Sequence, residues 1–447
     1  MIARLWPVSS RVVDGRLTVG GVDVEALCRT YGTPLYIFDE ATFRAGCRAY
    51  REALARHYPG EWDVYYAGKS MLTMAIARIA AEEGLGIDVV SSGELEIARR
   101  AGIPPARLHL HGNAKPRSEI AAAIEAGVGA IVADNLDELG AIESVAQHLG
   151  RPVRVLLRFS PGVGADTHSH IQTGQANSKF GLEPDYLPRA LDLLSAAKRM
   201  SLVGIHCHLG SQIFELASYP AAIEAMLDLR SAVADRLGFL PVEFSPGGGL
   251  GSAYVDTDPD VSIDNFVENV ARAVVKGCAR RSMPLPRLFL EPGRSISARS
   301  MIAVYSVVAR KDLATETAAG EASSYVHLDG GMADNLRPAL YGASYHAAIV
   351  TRMDEPRSQH VHIAGRYCES SDILIRNIAM PPVAPGDLIA LPGSGAYTLA
   401  MASNYNWTCR PALVSVNEGR ARLIQRRETL DDLLRREVEA TSQQHCQ

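Results

Sequence analysis

The chain has 447 residues, of which 47% are hydrophobic and 21% are charged, a composition that excludes a disordered or collagen-like protein. The formal net charge of -5 argues against nucleic acid as the main partner. No run of about 18 apolar residues and no signal-peptide-like start occur, so we expect a cytoplasmic protein without membrane association. The seven cysteines are scattered without a CxxC pair, which favours reduced thiols over disulfides or structural zinc.

Short apolar runs that end in small or polar residues recur through the first two thirds of the chain. They cover residues 64–67, 87–90, 108–111, 130–133, 154–159, 203–208, 242–244 and 288–291. The stretches between them place apolar residues at i, i+3 and i+4 and often end in glycine, as amphipathic helices do. This alternation predicts an α/β fold, a (β/α)8 barrel over residues 36–300, with an open doubly wound sheet as the alternative.

After residue 300 the pattern changes to strand-like runs joined by turns, such as SSYVHLDGG and DLIALPGSG. The segment before residue 36 contains similar runs, among them GRLTVGG. We therefore predict a second, mostly β domain that is discontinuous in sequence and is built from residues 1–35 and 301–447. Its polar tail, from Thr441 to Gln447, is expected to be frayed.

Polar residues follow several predicted strands, at the end of a barrel where active sites lie. Lys69 follows the first strand and is a candidate nucleophile, because burial inside the barrel mouth would favour its neutral amine. The glycine run 247–249 follows the seventh strand and would let backbone amides approach a phosphate closely. After the eighth strand, Glu291 is a candidate either to pair with Arg294 or to hold a proton on the ring nitrogen of a pyridine cofactor, and Arg294 is a candidate to bind an anion.

Two histidine pairs leave a second interpretation open. His109 with His111, and His206 with His208, are two residues apart on predicted strands and so share a face of each strand. Such pairs suit zinc, which makes a metal-dependent barrel hydrolase one candidate. Pyridoxal 5'-phosphate without a metal is the other, because this cofactor uses a lysine, an anion cradle, a carboxylate and a flat stacking group together.

A set of motifs covers nearly the whole chain from Thr33 to Leu434. They are YYAGKS, GLGIDVVSSGEL, HGNAKP, HSHIQTGQANSKFGL, GIHCHLGSQ, SPGGGLG, EPGRS, GGMADNLRPALYGA, CESSD, GAYTLAMASNYN and RETLDDLL. Together they resemble the fold-type III pyridoxal-phosphate decarboxylases, most closely the diaminopimelate decarboxylase family. The resemblance implies decarboxylation of meso-2,6-diaminopimelate to L-lysine and carbon dioxide, a step of lysine biosynthesis, with pyridoxal 5'-phosphate as cofactor.

The resemblance also implies a role for each matching residue. Lys69 would form the Schiff base with the cofactor. The other cofactor contacts would come from His208, which stacks on the ring, and from Ser211, Gly248, Gly249, Glu291, Pro292, Gly293, Arg294 and Tyr397. Substrate would be bound by Arg294, Arg337, Tyr341, Glu369 and Tyr397, and Cys368 would donate a proton. In the family Cys368 and Glu369 enter the partner subunit's site, which implies a homodimer with shared active sites.

The chemistry of diaminopimelate agrees with these roles, because this substrate carries an amino-acid group at each end. Recognition of the end that does not react needs a cation for the carboxylate and an anion for the ammonium, which Arg337 with Tyr341 and Glu369 supply. A related decarboxylase that acts on a siderophore or antibiotic precursor, or on a basic amino acid, is the alternative. A racemase of similar fold is disfavoured by Glu291, since racemases typically place arginine at the ring nitrogen. A non-catalytic carrier would usually lack a second domain.

Overall fold

A computed structural model describes residues 2–162, 178–260, 262–314, 318 and 320–438. The predicted frayed tail and residues 168–177 of the motif HSHIQTGQANSKFGL lie outside these ranges. The chain divides into two compact units. A barrel unit comprises Glu40–Ser300 and Gly395–Ala400, and a β-unit comprises Met1–Asp39, Met301–Ser394 and Met401–Gln447.

The secondary structure alternates regularly in the barrel unit and is mostly extended in the β-unit. The strands are β1 (Arg11–Val13), β2 (Arg16–Val19), β3 (Val22–Asp23), β4 (Leu35–Asp39), β5 (Trp62–Ala67), β6 (Gly86–Val89), β7 (Leu108–Leu110), β8 (Ala130–Ala133), β9 (Val153–Arg158), β10 (Met200–His206), β11 (Glu243–Ser245), β12 (Arg287–Leu290), β13 (Met301–Asp312), β14 (Ser324–Leu328), β15 (Ala348–Ile349), β16 (Gln359–Ala364), β17 (Ile373–Met380), β18 (Leu388–Pro392), β19 (Ala412–Asn417) and β20 (Arg420–Gln425). The helices are α1 (Val24–Tyr31), α2 (Glu40–His57), α3 (Met74–Glu82), α4 (Ser92–Arg100), α5 (Arg117–Ala126), α6 (Leu136–Leu149), α7 (Leu187–Ala196), α8 (Ser218–Leu237), α9 (Ile263–Arg280), α10 (Arg294–Ser297), α11 (Arg337–Tyr341) and α12 (Leu430–Leu434).

Strands β5 to β12 close into a parallel barrel in which β12 pairs with β5. Helices α3 to α9 connect successive strands, as expected for a (β/α)8 barrel. Buried side chains from several strands pack together in one cluster, which contains Tyr65, Ala130, Val132, Leu156 and Phe289. The barrel prediction is therefore confirmed, and the doubly wound alternative is wrong because the sheet has no open edge.

Local sequence signals set the ends of the barrel helices. A side chain at the N-cap accepts a hydrogen bond from a backbone amide three residues later in α3, α4, α6 and α9, at Thr73, Ser91, Asn135 and Ser262. Helices α5, α6 and α8 end at glycines in the left-handed conformation, which are Gly127, Gly150 and Gly238. These caps fix where each connection turns back to the next strand.

The β-unit is built on a sheet with the order β17-β16-β14-β13-β4-β19-β20. Strand β4 is an interior strand of this sheet, antiparallel to β13 on one side and parallel to β19 on the other, and all five of its residues are buried. A separate three-stranded sheet contains β1, β2 and β3. The predicted second domain of mostly β structure, with contributions from both ends of the chain, is confirmed.

The observed division differs from the predicted one at two places. The predicted barrel start at residue 36 falls inside β4, whose hydrogen bonds to β13 and β19 keep the whole strand in the β-unit. Residues Gly395–Ala400 group with the barrel unit, although they were predicted in the second domain. The reason is a close approach, since the amide of Gly395 donates to the carbonyl of Ala298 at 2.9 Å and a Cβ on Gly395 would lie 1.8 Å from the carbonyl oxygen of Ser297.

No helix in the described ranges has the length and apolarity needed to cross a membrane. Six of the cysteines lie in these ranges and all six are free thiols. Four of them are buried, Cys409 is partly exposed, and Cys368 is exposed.

Candidate active site

The ends of the barrel strands line a cavity of about 310 Å³. Most of the predicted cofactor residues line it, namely Lys69, His208, Ser211, Gly249, Glu291, Gly293, Arg294 and Tyr397. Three polar residues without a predicted role also line it, namely Asp88, Asn113 and Arg158, as do His111 and His206, which the sequence suggested only as zinc ligands. Gly248 and Pro292 are not among the described lining residues, and they contribute through backbone contacts instead.

Lys69 lies in a single turn, Gly68–Ser70, directly after β5. The turn is held by the Ser70 hydroxyl, which donates to the Ala67 carbonyl at 2.9 Å, and by the Ala67 amide, which donates to the Pro292 carbonyl at 3.0 Å. Lys69 itself is exposed, so the expectation that burial by the protein would desolvate this amine is wrong. Its position leaves the amine accessible to an aldehyde that enters the cavity.

Glu291 follows β12, and each of its carboxylate oxygens meets a donor. Ser245 donates to Oε1 at 2.7 Å, and Nε2 of His206 lies 2.9 Å from Oε2. Burial lowers the pKa of His206 well below its usual range, and the neighbouring His111 and Arg158 lower it further. His206 is therefore a neutral imidazole, and because its buried Nδ1 has no hydrogen-bond partner among the described residues, its proton lies on Nε2, which faces Glu291.

His208 places a second neutral imidazole at the cavity. Burial lowers its pKa well below the usual range, and the nearby positive charges of Lys69 and Arg158 act in the same direction. The amide of Gly248 lies 3.4 Å from Nδ1 of His208 and donates to it. An uncharged, flat ring in this position suits stacking on an aromatic cofactor.

The anion-binding side of the cavity is formed by Arg294 and its partners. The guanidinium is 6% exposed, donates to Ser211 Oγ from Nε at 3.1 Å and from Nη2 at 3.0 Å, and donates to the Tyr254 hydroxyl at 2.7 Å. It also lies 4.8 Å from the ring centroid of Tyr397. These contacts fix the cation before any ligand binds, which is a property of a prebuilt phosphate or carboxylate site.

The glycines at 247–249, between β11 and α9, occupy positions where the backbone leaves no room for a side chain. A Cβ on Gly248 would lie 2.2 Å from the carbonyl oxygen of Glu291. Gly249 has a φ of +108°, and its Cβ would lie 2.6 Å from the hydroxyl of Tyr219, which itself donates to the Gly248 carbonyl. Glycine at these positions therefore lets the backbone pass close to Glu291 without a side chain in the way.

The chemistry of this donor set fits pyridoxal 5'-phosphate. Lys69 offers an amine for the aldehyde, Glu291 a carboxylate for the ring nitrogen and His208 a flat surface for the ring. Ser211, Arg294 and the glycine backbone supply donors suited to a phosphate.

The metal interpretation rests on different groupings. Within the described residues two buried sets have ligand atoms within 4.8 Å of one another, Asp88–His109–His111 and His111–His206–Glu291. His208, which the sequence pattern paired with His206 for zinc, belongs to neither of these sets. His206 and Glu291 are instead hydrogen-bonded to each other, which satisfies them without an ion.

The predicted substrate residues outside the barrel belong to the β-unit. Arg337 and Tyr341 are the first and last residues of α11, and Arg337 donates to the Tyr345 hydroxyl at 2.6 Å. Cys368 and Glu369 lie in the loop between β16 and β17, and both are exposed. The Glu369 carboxylate accepts from the Tyr405 hydroxyl, while the Cys368 amide donates to Asn406 Oδ1 at 3.3 Å.

Sequence reasoning missed Arg158 and Ser245, and it considered His206 only as a zinc ligand and not as a partner of Glu291. Arg158, His206 and Ser245 are the last residues of β9, β10 and β11, so the strand-end rule that selected Lys69 and Glu291 also applies to them. Tyr254 carried no such signal, because it lies in a loop and is identified only by its contact with Arg294.

Comparison with known proteins agrees with this chemistry. The family model for the pyridoxal-binding domain of pyridoxal-dependent decarboxylases matches residues 40–298. Diaminopimelate decarboxylase of Bacillus subtilis is 40% identical over 94% of this chain and 95% of its own length. The structure of diaminopimelate decarboxylase from M. jannaschii in complex with L-lysine is 32% identical, with a TM-score of 0.89, over 98% of this chain and 99% of that one.

A structure of lysine/ornithine decarboxylase from Vibrio vulnificus in complex with putrescine is 25% identical, with a TM-score of 0.73, over 88% of this chain and 97% of that one. The predicted enzyme class, an amino-acid decarboxylase, is confirmed by these relatives. The extent of the matches places the chain in its family: it belongs to the pyridoxal-dependent decarboxylases and, among them, to the diaminopimelate decarboxylase family.

Proposed function

We propose that this protein converts meso-2,6-diaminopimelate to L-lysine and carbon dioxide with pyridoxal 5'-phosphate bound in the barrel cavity. The observation that carries the proposal is the position of Glu291, which lines the same cavity as Lys69, His208 and Arg294 and accepts two hydrogen bonds. The L-lysine in the related M. jannaschii structure corresponds to the product of this reaction.

Each cavity residue then has a task. When bound, pyridoxal 5'-phosphate supplies an electron sink for the electron pair left on Cα as carbon dioxide departs. Lys69 would hold the cofactor through its amine, at the position where the substrate's amino group would also bind. Glu291 holds a proton at the ring nitrogen, and the neutral ring of His208 supports the cofactor without adding charge. Arg294 and Ser211 bind the phosphate.

Substrate recognition and protonation are assigned to the β-unit. Arg337, 5% exposed, and Tyr341 bind the distal carboxylate, and Glu369 binds the distal ammonium. After carbon dioxide leaves, Cα needs one proton, and the thiol of Cys368 supplies it. The exposure of Cys368 and Glu369 supports their placement in the site of a second copy, so the working enzyme is a homodimer. The free thiols of the described cysteines support a cytoplasmic, reducing location.

Decarboxylation of lysine or ornithine is the second candidate, because the V. vulnificus enzyme has a similar structure. Such substrates carry a distal ammonium but no distal carboxylate. Arg337, which the resemblance assigns to substrate binding, favours diaminopimelate, since a further cation is needed only for a second carboxylate.

The test measures carbon dioxide release from diaminopimelate, L-lysine and L-ornithine by the purified protein with pyridoxal 5'-phosphate. We expect release from diaminopimelate alone, with L-lysine as the product. Arg337→Met should lower kcat/KM about 10- to 150-fold, the equivalent of a hydrogen bond to a charged group, and leave the cofactor spectrum unchanged. Greater release from ornithine, racemisation without release, or an unaffected Arg337→Met variant would contradict the proposal.

A further inference from the structure

The groups around Glu291 carry an inference that rests on the proposed cofactor and goes beyond it. We propose that His206 and Ser245 are positioning residues that keep the Glu291 carboxylate ionised, so that the proton it shares with the cofactor's ring nitrogen stays on nitrogen. A carboxyl group and a pyridine nitrogen compete for one proton, and only the protonated ring is a strong electron sink. The surroundings of Glu291 therefore decide how the cofactor behaves.

Burial alone would work against an ionised Glu291, which is 7% exposed. The neighbouring Asp88 shows the effect of burial on a carboxyl group with one oxygen that accepts no hydrogen bond, although Nε2 of His111 lies 3.3 Å from it. Its Oδ1 accepts no hydrogen bond from any described residue, and burial together with the negative charge of Glu291 raises its pKa well above the usual range. Glu291 differs from Asp88 because both of its oxygens meet a donor.

The direction of both hydrogen bonds follows from their other contacts. Nδ1 of His206 is buried and has no hydrogen-bond partner among the described residues, so the neutral ring carries its proton on Nε2, facing Glu291. Ser245 Oγ accepts from the Gly247 amide at 3.1 Å, which leaves its own proton to point at Glu291. Each of the two groups therefore donates its proton to Glu291, and such hydrogen bonds stabilise the charged form of the carboxylate.

The other charged and titratable groups near Glu291 act in the same sense or are neutral. Nε2 of His111 lies 4.0 Å from Glu291 Oε1, and burial lowers the pKa of His111 to about 4, so this ring is uncharged at neutral pH. Arg158 is a buried cation on which the negative charge of Glu291 acts favourably, and its Nη1 lies 3.5 Å from Oδ1 of Asp134. Asp88 is the one opposing group in this set.

The experiment follows the ring nitrogen directly. Apoprotein is reconstituted with pyridoxal phosphate that carries 15N in the ring, and the 15N resonance, which differs between protonated and unprotonated rings, is recorded against pH. The variants are Ser245→Ala, His206→Gln, which keeps a donor, His206→Leu, and the double variant His206→Leu/Ser245→Ala. His109→Gln is the matched control, because His109 is equally buried but stacks on Tyr65 with ring centroids 3.9 Å apart.

We expect the wild type, His206→Gln and His109→Gln to keep a protonated ring at neutral pH. In Ser245→Ala the ratio of protonated to unprotonated ring at neutral pH should fall roughly tenfold, the equivalent of one hydrogen bond to a charged group, because the shared proton moves toward the carboxylate. The double variant should show an unprotonated ring at neutral pH. An unprotonated ring in the wild type, or a fully protonated ring at neutral pH in both Ser245→Ala and His206→Leu, would overturn the inference, even if the double variant does not fold. A wild-type protein that binds no pyridoxal phosphate would instead refute the proposed function.

Discussion

The substitution Gly248→Ala should weaken cofactor binding, because this glycine touches the backbone that carries Glu291. A Cβ at position 248 would lie 2.2 Å from the Glu291 carbonyl oxygen and 2.9 Å from its carbonyl carbon. Restoring an ordinary contact needs a shift of roughly 1 Å, and overpacking of this kind typically costs about 1–3 kcal/mol. If that cost falls on the bound geometry, the dissociation constant for pyridoxal phosphate rises about 5- to 140-fold.

The assay is titration of apoprotein with pyridoxal phosphate, followed by its visible absorbance, together with thermal unfolding. Gly140→Ala is the matched control, since Gly140 lies within α6 and an added Cβ meets nothing within 4 Å. This control should bind the cofactor as the wild type does and should be more stable by up to about 1 kcal/mol. Wild-type affinity in Gly248→Ala would refute the reasoning that the glycine is required by close approach.

Three further predictions concern separate parts of the molecule. Borohydride treatment of the wild type with pyridoxal phosphate should fix the cofactor on Lys69, as mass spectrometry of peptides would show, and Lys69→Ala should retain none there. Glu369→Gln should raise KM for diaminopimelate without weakening cofactor binding, and an unchanged KM would exclude Glu369 from substrate recognition. Burial raises the pKa of Asp334 to about 7, whereas the unfolded value is about 3.9. The native state therefore binds the extra proton between these values, so stability falls as pH rises through this window. Asp334→Asn should reduce the fall in the free energy of unfolding between about pH 4.5 and about pH 7.5, as denaturant unfolding would measure. An unaltered pH dependence would contradict the assignment.

The barrel was predictable because its strands and helices repeat a strong local pattern, whereas its limits were not. Strand β4 reads LYIFD and is buried on both faces, which is also the pattern of a barrel strand. Only its partners, β13 and β19, show that it belongs to the other unit. Those partners lie far along the chain, so no local signal identifies them.

The same distinction holds for the candidate site. Position at strand ends was enough to select Lys69 and Glu291, because barrel geometry brings such residues together. The donors to Glu291 were not predicted, since the two hydrogen bonds join residues 85 and 46 positions apart. The exposure of Lys69 was also not predictable, because it depends on the width of the cavity rather than on neighbouring residues.

The interior place of β4 in its sheet has a consequence for the newly made chain. The strand ends at Asp39, but its first partner begins at Met301 and its second at Ala412. At roughly 5–20 residues per second, a ribosome takes on the order of 10–50 s to reach the first partner. During this delay an apolar strand with unpaired edges is available to other chains. The β-unit therefore cannot close its sheet until the residues of β19 have been made, and β4 is the segment we expect a chaperone to protect.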